Sequence, residues 1–175
     1  MTIQNNWPTT THPDLLIIKT SVFDVCNFNC SVPQPESESN EYGAYTFDIN
    51  SKSIIFRVAK ITPTKNGQFV TIWKRNDSGV IAPFDFSDPF DFVIITVRFE
   101  NRLGFFMFPK TILLQKGVFS TAVKEGKRAI RVYPAWDKTT SKQAEKTQLW
   151  QLDYFFEINS GIKPEEIKEI VFKGI

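Results

Sequence analysis

Asp91 and Lys110 are the residues of this sequence whose types and spacing come nearest to a catalytic pair. Metal-dependent nucleases hold magnesium with carboxylates while a lysine steadies the attacking water, and one carboxylate lies two residues before that lysine. Here Asp91 opens one apolar segment and Lys110 ends the next, but the position two before Lys110 is Phe108, which cannot bind a metal. Glu41 and Glu100 are possible substitutes from elsewhere in the chain.

The alternative interpretation of this pair is structural. Asp91 can cap the start of a strand, and the aliphatic stem of Lys110 can cover apolar surface while its ammonium stays in water. Asp91 by itself is a poor metal ligand, and magnesium is expected only if the chain is a nuclease after all. The sequence therefore favours a scaffold that has lost its catalytic acid over a working enzyme.

Basic residues gather in the later part of the sequence, with aromatic residues between them. Basic side chains neutralise phosphates, and flat aromatic rings can stack on exposed bases. Tyr133 and Trp136 lie within the basic segment, whereas Trp150 is expected in the core. The basic residues of the segment are Lys124, Lys127, Arg128, Arg131, Lys138, Lys142 and Lys146. This pattern predicts a surface that binds DNA or RNA.

A second basic set lies on neighbouring predicted strands. Its members are Arg57, Lys60, Lys65, Lys74 and Arg75. Because side chains alternate along a strand, Arg57 points to one face and Lys60 to the other, so the whole set cannot share one surface. The ordinary alternative for both sets is a solvated surface that binds nothing.

A third function class stays open, a binding module for a small molecule or another protein. The 17 phenylalanines could line a pocket, although a dense core also accounts for them. Other catalytic patterns are excluded. The one histidine, His12, cannot supply a histidine-based triad, and the sequence has no glycine-rich phosphate-binding loop.

Length and composition fit one globular domain. The chain is 42% hydrophobic, and residues 1–175 are expected to fold as one unit. The net charge of +2 is uneven, because residues 1–50 hold one basic and six acidic residues, which leaves 20 basic and 13 acidic residues, or +7, in the rest. This excess suggests an acidic partner for the later part of the chain.

The sequence also predicts the surroundings of the protein. No apolar run is long enough for a membrane span, and the N-terminus lacks the pattern of a secretory signal. The two cysteines, Cys26 and Cys30, are too few for a disulfide framework or a zinc site. We therefore expect a cytoplasmic protein with no membrane partner and no cofactor.

The hydrophobic pattern predicts one helix followed by a series of strands. The helix extends from Pro13 to Asn27 with Thr11 as its cap, and its apolar face is formed by Leu15, Ile18, Val22 and Val25. Strands are expected over residues 42–49, 53–61, 69–75, 90–97, 102–108 and 127–134. Segments 91–97 and 104–109 are predicted to pair antiparallel across a turn at Asn101–Gly104.

The C-terminal part is predicted to be helical. One helix covers residues 139–158, with a capping box of Thr140 and Gln143 and a face formed by Leu149, Leu152 and Phe156. A shorter helix begins at Pro164 and carries Ile167, Ile170 and Val171. This order of elements predicts an α+β fold, in which helices pack on a single mixed β-sheet.

Long stretches of the sequence resemble one family of small bacterial proteins. The segments IIFRVAKITPTKNGQFVTIWKR, FDFVIITVR, FFMFPKTILLQKGVFST and EGKRAIRVYPAWDKTTSKQAEKTQLWQLDYF, within residues 40–157, are similar to the MepB family. The family takes its name from a multidrug-efflux locus, so a regulatory module linked to drug resistance is one alternative. The resemblance implies a restriction-endonuclease-like fold of the PD-(D/E)XK nuclease group, with nucleic acid as the expected ligand.

Overall fold

The computed structural model describes residues 6–173 and has the predicted α+β fold. The expected single mixed sheet is instead three sheets, because the described strands form a large mixed sheet, a small sheet and a separate hairpin. The strands are β1 (Gln34–Pro35), β2 (Tyr45–Ile49), β3 (Lys52–Val58), β4 (Lys60–Thr62), β5 (Lys65–Thr71), β6 (Trp73–Arg75), β7 (Ile81–Pro83), β8 (Phe92–Phe99), β9 (Arg102–Pro109), β10 (Ala129–Val132) and β11 (Phe155–Glu157). The α-helices are α1 (Pro13–Ile18), α2 (Lys110–Gln115), α3 (Lys142–Gln151) and α4 (Pro164–Lys173).

The large sheet has the strand order β1-β2-β3-β8-β9-β11. Strands β3 and β8 pair in parallel, and β8 lies in the middle, as expected for a strand that is apolar on both faces. The predicted antiparallel pairing of β8 with β9 is confirmed, and it extends to Phe99 opposite Arg102. The turn is therefore shorter than predicted and consists of Glu100 and Asn101, with Glu100 in the left-handed conformation at a φ of 52°.

Each face of the large sheet covers its own hydrophobic core. On one face, Phe56 and Ile94 pack with residues of α1 and α4. On the other face, Ile95 and Phe106 pack with residues of the small sheet and α2. The residues of the two cores alternate along the strands, which is the pattern of a sheet buried on both sides.

The small sheet has the strand order β10-β5-β4. The predicted strand over residues 69–75 is not continuous, because β5 ends at Thr71 and pairs with β10, whereas β6 begins at Trp73 and pairs with β7. The break falls at Ile72, whose side chain is buried and whose backbone N–H bonds to the carbonyl of Arg128. Buried and less buried side chains alternate without interruption from Phe69 to Trp73. The sequence pattern therefore gave no sign that the partner strand changes from β10 to β7 at Ile72.

Helix α1 is shorter than predicted because the chain widens into a π-helix over Lys19–Phe23. The N–H of Asp24 bonds to the carbonyl five residues back, at 2.8 Å. This wider turn rotates Val25 out of the predicted apolar face and leaves it 55% exposed. The cap is His12, whose Nδ1 accepts a backbone hydrogen bond, and not Thr11 as predicted.

Helix α3 ends well before the predicted limit, because the chain turns into β11 and pairs with β9. Its cap is Ser141 rather than Thr140. Leu149 is 76% exposed and Phe156 lies on a strand, so the predicted apolar face of this helix is wrong. The final helix is confirmed as α4, with Ile167, Ile170 and Val171 buried. No helix within residues 6–173 is long and apolar enough to cross a membrane.

Candidate functional site

The structure brings Asp91 and Lys110 together at one end of the β8–β9 hairpin. The backbone N–H of Lys110 bonds to the carbonyl of Asp91 at 2.9 Å. Both side chains already have structural partners: the Asp91 carboxylate accepts a 2.8 Å hydrogen bond from the Ser53 N–H, and the Lys110 ammonium donates to the carbonyl of Asp88. The pair therefore holds the strand ends and the preceding loop in place.

The second carboxylate of a metal site is not replaced. Phe108 is fully buried, with its ring centroid 5.3 Å from that of Trp150. Glu100 lies at the opposite end of β8 from Asp91, and Glu41 is paired with Lys60 at 3.1 Å. Among the residues that the structure describes, no group of three or more His, Cys, Asp or Glu side chains could hold a metal ion.

Lys74 is held in a network of acids on the loop before β8. Its ammonium lies 2.8 Å from Asp85 and 2.7 Å from Asp88. Hydrogen bonds from Lys74 and Ser87 lower the pKa of Asp85 from 3.8 to about 2. The network neutralises Lys74, so this member of the second basic set has little charge to offer a phosphate.

Three other members of the second basic set are paired with one acidic segment, residues 36–42, which we call the acidic strap. Its glutamates Glu36, Glu38 and Glu41 bind basic residues on three different strands. The pairs are Glu36 with Arg57 at 2.7 Å, Glu38 with Arg75, and Glu41 with Lys60 at 3.1 Å. Arg57 is only 1% exposed, and burial lowers its pKa against the attraction of Glu36, so the prediction that it reaches a nucleic acid is wrong.

Six basic residues come together in a cleft between β10, α3 and the end of α2, which we call the cationic cleft. It has an inner lobe of about 400 Å³ and an outer lobe of about 420 Å³, which share Lys116, Gln143, Thr147 and Trp150. Its basic lining residues are Lys65, Lys116, Lys127, Arg131, Lys142 and Lys146. No aspartate or glutamate of residues 6–173 lines either lobe.

The charges of the cationic cleft are not neutralised within the described part of the chain. None of its six basic residues forms an ion pair with a carboxylate of residues 6–173. Arg131 donates instead to neutral oxygens, the hydroxyl of Thr62 at 2.9 Å and the carbonyl of Gly67 at 3.2 Å. Six uncompensated positive charges around one concave surface favour a ligand that carries several negative charges.

Three aromatic rings line the cationic cleft. They belong to Phe69, Tyr133 and Trp150. The Lys116 ammonium lies 5.9 Å from the centre of the Trp150 ring, and the Arg131 guanidinium lies at the same distance from the Phe69 ring. Cations held near aromatic faces give a surface that can contact both a phosphate and a flat base.

The cleft is lined by part of the predicted basic segment, by Lys65 of the second basic set, by Trp150, which was expected in the core, and by Lys116, for which the sequence predicted no role. The lining residues that come from this segment are Lys127, Arg131, Lys142, Lys146 and Tyr133. The other predicted residues are outside the lining: Lys124 and Lys138 are exposed, Arg128 pairs with Glu125 at 2.8 Å, and Trp136 packs against Phe155 with Arg102 over its ring.

Lys116, Trp150 and Phe69 are functional candidates that the sequence did not reveal. Lys116 follows α2 and Trp150 lies on α3, and tertiary packing places both between the two lobes. Trp150 does contact the core through Phe108, as expected, but it also lines the cleft. No local pattern marks Lys116, because its neighbours in sequence form an ordinary short helix.

Two glutamines, the buried Gln151 and the half-buried Gln148, hold α3 against the chain around β10. The Gln151 side chain bonds to the backbone of Tyr133 and Arg131, and Gln148 donates to the carbonyls of Pro134 and Asp137 at 3.1 and 2.9 Å. Hydrogen bonds to backbone groups therefore join the two walls of the cleft. Because the backbone is fixed by the fold, these bonds also fix the distances between the basic residues of the two walls.

Comparisons with known proteins found two similarities. A sequence model of the MepB-like family matches residues 36–157. A crystal structure of MepB is 31% identical in sequence, covers 87% of this chain and 99% of its own, and superimposes with a TM-score of 0.73. No protein with a curated description matches the chain. The matched residues 36–157 contain the whole lining of the cationic cleft and the acidic strap, whereas α1 and α4 lie outside them.

Proposed function

The chain belongs to the MepB-like family, and we propose that it is a nucleic-acid-binding protein whose binding surface is the cationic cleft. The ligand is DNA or RNA, bound through its phosphates and bases without cleavage. The scaffold is nuclease-like but binds nucleic acid without catalysing its hydrolysis. It also places the protein in the cytoplasm, where nucleic acid is present and cysteine thiols such as Cys26 stay reduced.

Four members of the second basic set and the six basic residues of the cationic cleft differ in their partners, and this difference carries the proposal. On the strands, Arg57, Lys60, Lys74 and Arg75 are each matched by a carboxylate. In the cleft, six basic residues stand around aromatic rings and none is matched by a carboxylate of the described chain. Phosphates of a nucleic acid supply the missing negative charge, and binding then releases the counterions that surround them.

A polyanion fits the cleft better than a small apolar molecule does. The lobes are open clefts with lysines at their rims, whereas drug-sized ligands are mostly buried in apolar pockets with few polar groups. Most of the phenylalanines belong to the two cores, where Phe105, Phe106 and Phe108 are fully buried. These three rings therefore offer no surface to an aromatic ligand.

The test is a binding titration that compares matched pairs of lysines. Fluorescence anisotropy of a labelled oligonucleotide is measured at several salt concentrations for the parent, for Lys116→Ala with Lys127→Ala, and for Lys52→Ala with Lys163→Ala. The second pair removes the same charge from exposed lysines outside the cleft that also lack a carboxylate partner in residues 6–173.

We expect the parent to bind with micromolar or weaker affinity that falls steeply with salt. The cleft pair should weaken binding about tenfold or more at low salt and reduce the salt slope by about 0.7–0.9 for each lost phosphate contact, whereas the control pair should have little effect. A parent that does not bind, or equal losses from both pairs, would show that the cleft is not a nucleic-acid site.

A further inference from the structure

A row of three side chains crosses the exposed face of the small sheet. Arg131 of β10 lies opposite Phe69 of β5, and Phe69 lies opposite Lys60 of β4. Directly opposed residues of antiparallel strands point to the same face, so these three side chains stand side by side. The other face of the sheet, which carries Val70 and Ile130, is buried in the core.

One end of this row is in the cationic cleft and the other end is under the acidic strap. Arg131 and Phe69 line the inner lobe. Lys60 lies 4.4 Å from the centre of the Tyr42 ring, and the Tyr42 ring lies 6.3 Å from the Phe69 ring. The pattern of a cation beside an aromatic ring, seen for Arg131 and Phe69, is thus repeated for Lys60 and Tyr42.

The two cations of the row differ in their partners. Arg131 has no carboxylate partner in the described chain, whereas Lys60 binds Glu41 at 3.1 Å. That ion pair is open to water, since the side chains of Lys60 and Glu41 are 40% and 76% exposed. An exposed ion pair contributes little free energy, so a phosphate can replace the carboxylate at small cost. In the Glu36–Arg57 pair the arginine is buried, so a phosphate cannot reach it and that pair offers no such exchange.

We propose that the nucleic-acid surface extends from the cationic cleft across Phe69 to Lys60, and that Glu41 occupies the Lys60 phosphate subsite as an internal competitor. The inference rests on the proposed function of the cleft and adds a subsite to it. The ligand of this subsite is a phosphate of the same nucleic acid whose neighbouring phosphates contact Arg131. In the absence of nucleic acid the strap carboxylate covers Lys60, and a bound strand displaces it.

The experiment measures affinity and salt slope for Glu41→Gln, Lys60→Met and the variant that combines both, with a labelled oligonucleotide. The control is Glu38→Gln, which changes the net charge equally and also breaks an exposed strap ion pair, but frees Arg75 outside the row. We expect Glu41→Gln to bind about two- to fivefold more tightly than the parent and to steepen the salt slope by about 0.7–0.9. Lys60→Met should cancel the gain when combined with Glu41→Gln.

Each outcome decides the matter. A gain that needs Lys60 and is absent in Glu38→Gln supports the subsite. A parent that binds while Glu41→Gln binds no better overturns the subsite and leaves the cleft in place. Equal gains in Glu41→Gln and Glu38→Gln, or a gain that persists when Glu41→Gln is combined with Lys60→Met, would overturn the subsite, because the gain would then come from the change in net charge. Absence of binding by parent and variants alike overturns the cleft and the subsite together.

Discussion

The side-chain oxygen of Gln151 accepts a hydrogen bond of 2.8 Å from the backbone N–H of Tyr133. The amide nitrogen of the same side chain donates to the carbonyl of Arg131 at 3.0 Å. Strand β10 is an edge strand of the small sheet: one side pairs with β5, and the other side faces Gln151. Gln151 therefore takes the place of a further strand, and it joins α3 to the strand that carries Arg131.

Replacing Gln151 by methionine should widen the cationic cleft without removing a charge. Two backbone groups lose their partner, and we expect a loss of about 1–3 kcal/mol in the free energy of unfolding. Below the unfolding transition, affinity for nucleic acid should fall about three- to tenfold with an unchanged salt slope, because the lysines remain but are misplaced. The measurement is a titration of folded protein, with hydrogen exchange of the Tyr133 amide as a second readout.

Gln148→Met is the matched control for this change. Gln148 is on the same helix and also donates to backbone carbonyls, those of Pro134 and Asp137, but it does not line either lobe. A similar loss of stability with nearly unchanged affinity is expected. If both variants bind like the parent, Gln151 has only a structural role.

The Glu36–Arg57 pair should be important for stability. Glu36→Gln leaves the guanidinium of Arg57 without a counter-charge in the core, where its Nε already has no partner among the described residues. Because Glu36 is partly exposed, we expect a loss of about 2–4 kcal/mol, near the lower end for a buried pair. Urea denaturation of the single variant and of Glu36→Gln with Arg57→Met tests this, since the double variant should be the more stable of the two. A single variant as stable as the parent would contradict the prediction.

The Asp85–Lys74 network should make stability depend on acid pH. The pKa of Asp85 is lowered from 3.8 to about 2 in the folded protein. Its contribution of about 1–2 kcal/mol is therefore complete above pH 3.8 and is lost as the pH falls toward 2. Asp85→Asn should be less stable than the parent at neutral pH, and the difference should vanish near pH 2. A difference that is constant with pH would contradict the assignment.

Elements that depend on local pattern were predicted well from the sequence. The β8–β9 hairpin is an example, since two apolar segments of equal length around a polar turn leave few other arrangements. The helix predicted over residues 139–158 is too long, because Phe156 fits the helical spacing of Leu149 and Leu152. Phe155 and Phe156 instead pair with β9 and face opposite cores. Pairing with a distant strand outweighed the local preference.

The candidate site was predicted only in part, for a similar reason. The basic segment supplied Lys127, Arg131 and Lys142, which lie close together in the chain. Lys116 and Lys65 join them through tertiary packing, which no sequence spacing encodes. The pairing of the acidic strap with the second basic set is also a long-range contact. The uneven charge of the sequence shows that both signs are present but not which residues neutralise each other.

The position of Asp91 and Lys110 leads to a last prediction, that the protein cleaves no nucleic acid. Magnesium prefers octahedral oxygen coordination and usually takes one or two protein carboxylates, with water and substrate phosphate as the other ligands. Asp91 accepts a hydrogen bond from Ser53, and Phe108 fills the place of the second carboxylate with a buried ring. The ammonium of Lys110 donates a hydrogen bond to the carbonyl of Asp88, so it is already engaged and is not directed at an attacking water.

We expect no cleavage above background with magnesium or manganese, on single- or double-stranded substrates, and no difference between the parent and Asp91→Asn or Lys110→Ala. Restoring the acid with Phe108→Asp should not create activity either, because a carboxylate without a partner in the core beside Trp150 destabilises the fold. The assay needs purified parent and variants under identical conditions, since a contaminating nuclease would cleave equally in all of them. Cleavage by the parent that both Asp91→Asn and Lys110→Ala abolish would overturn the prediction, because only a working site at this end of the β8–β9 hairpin would depend on both residues.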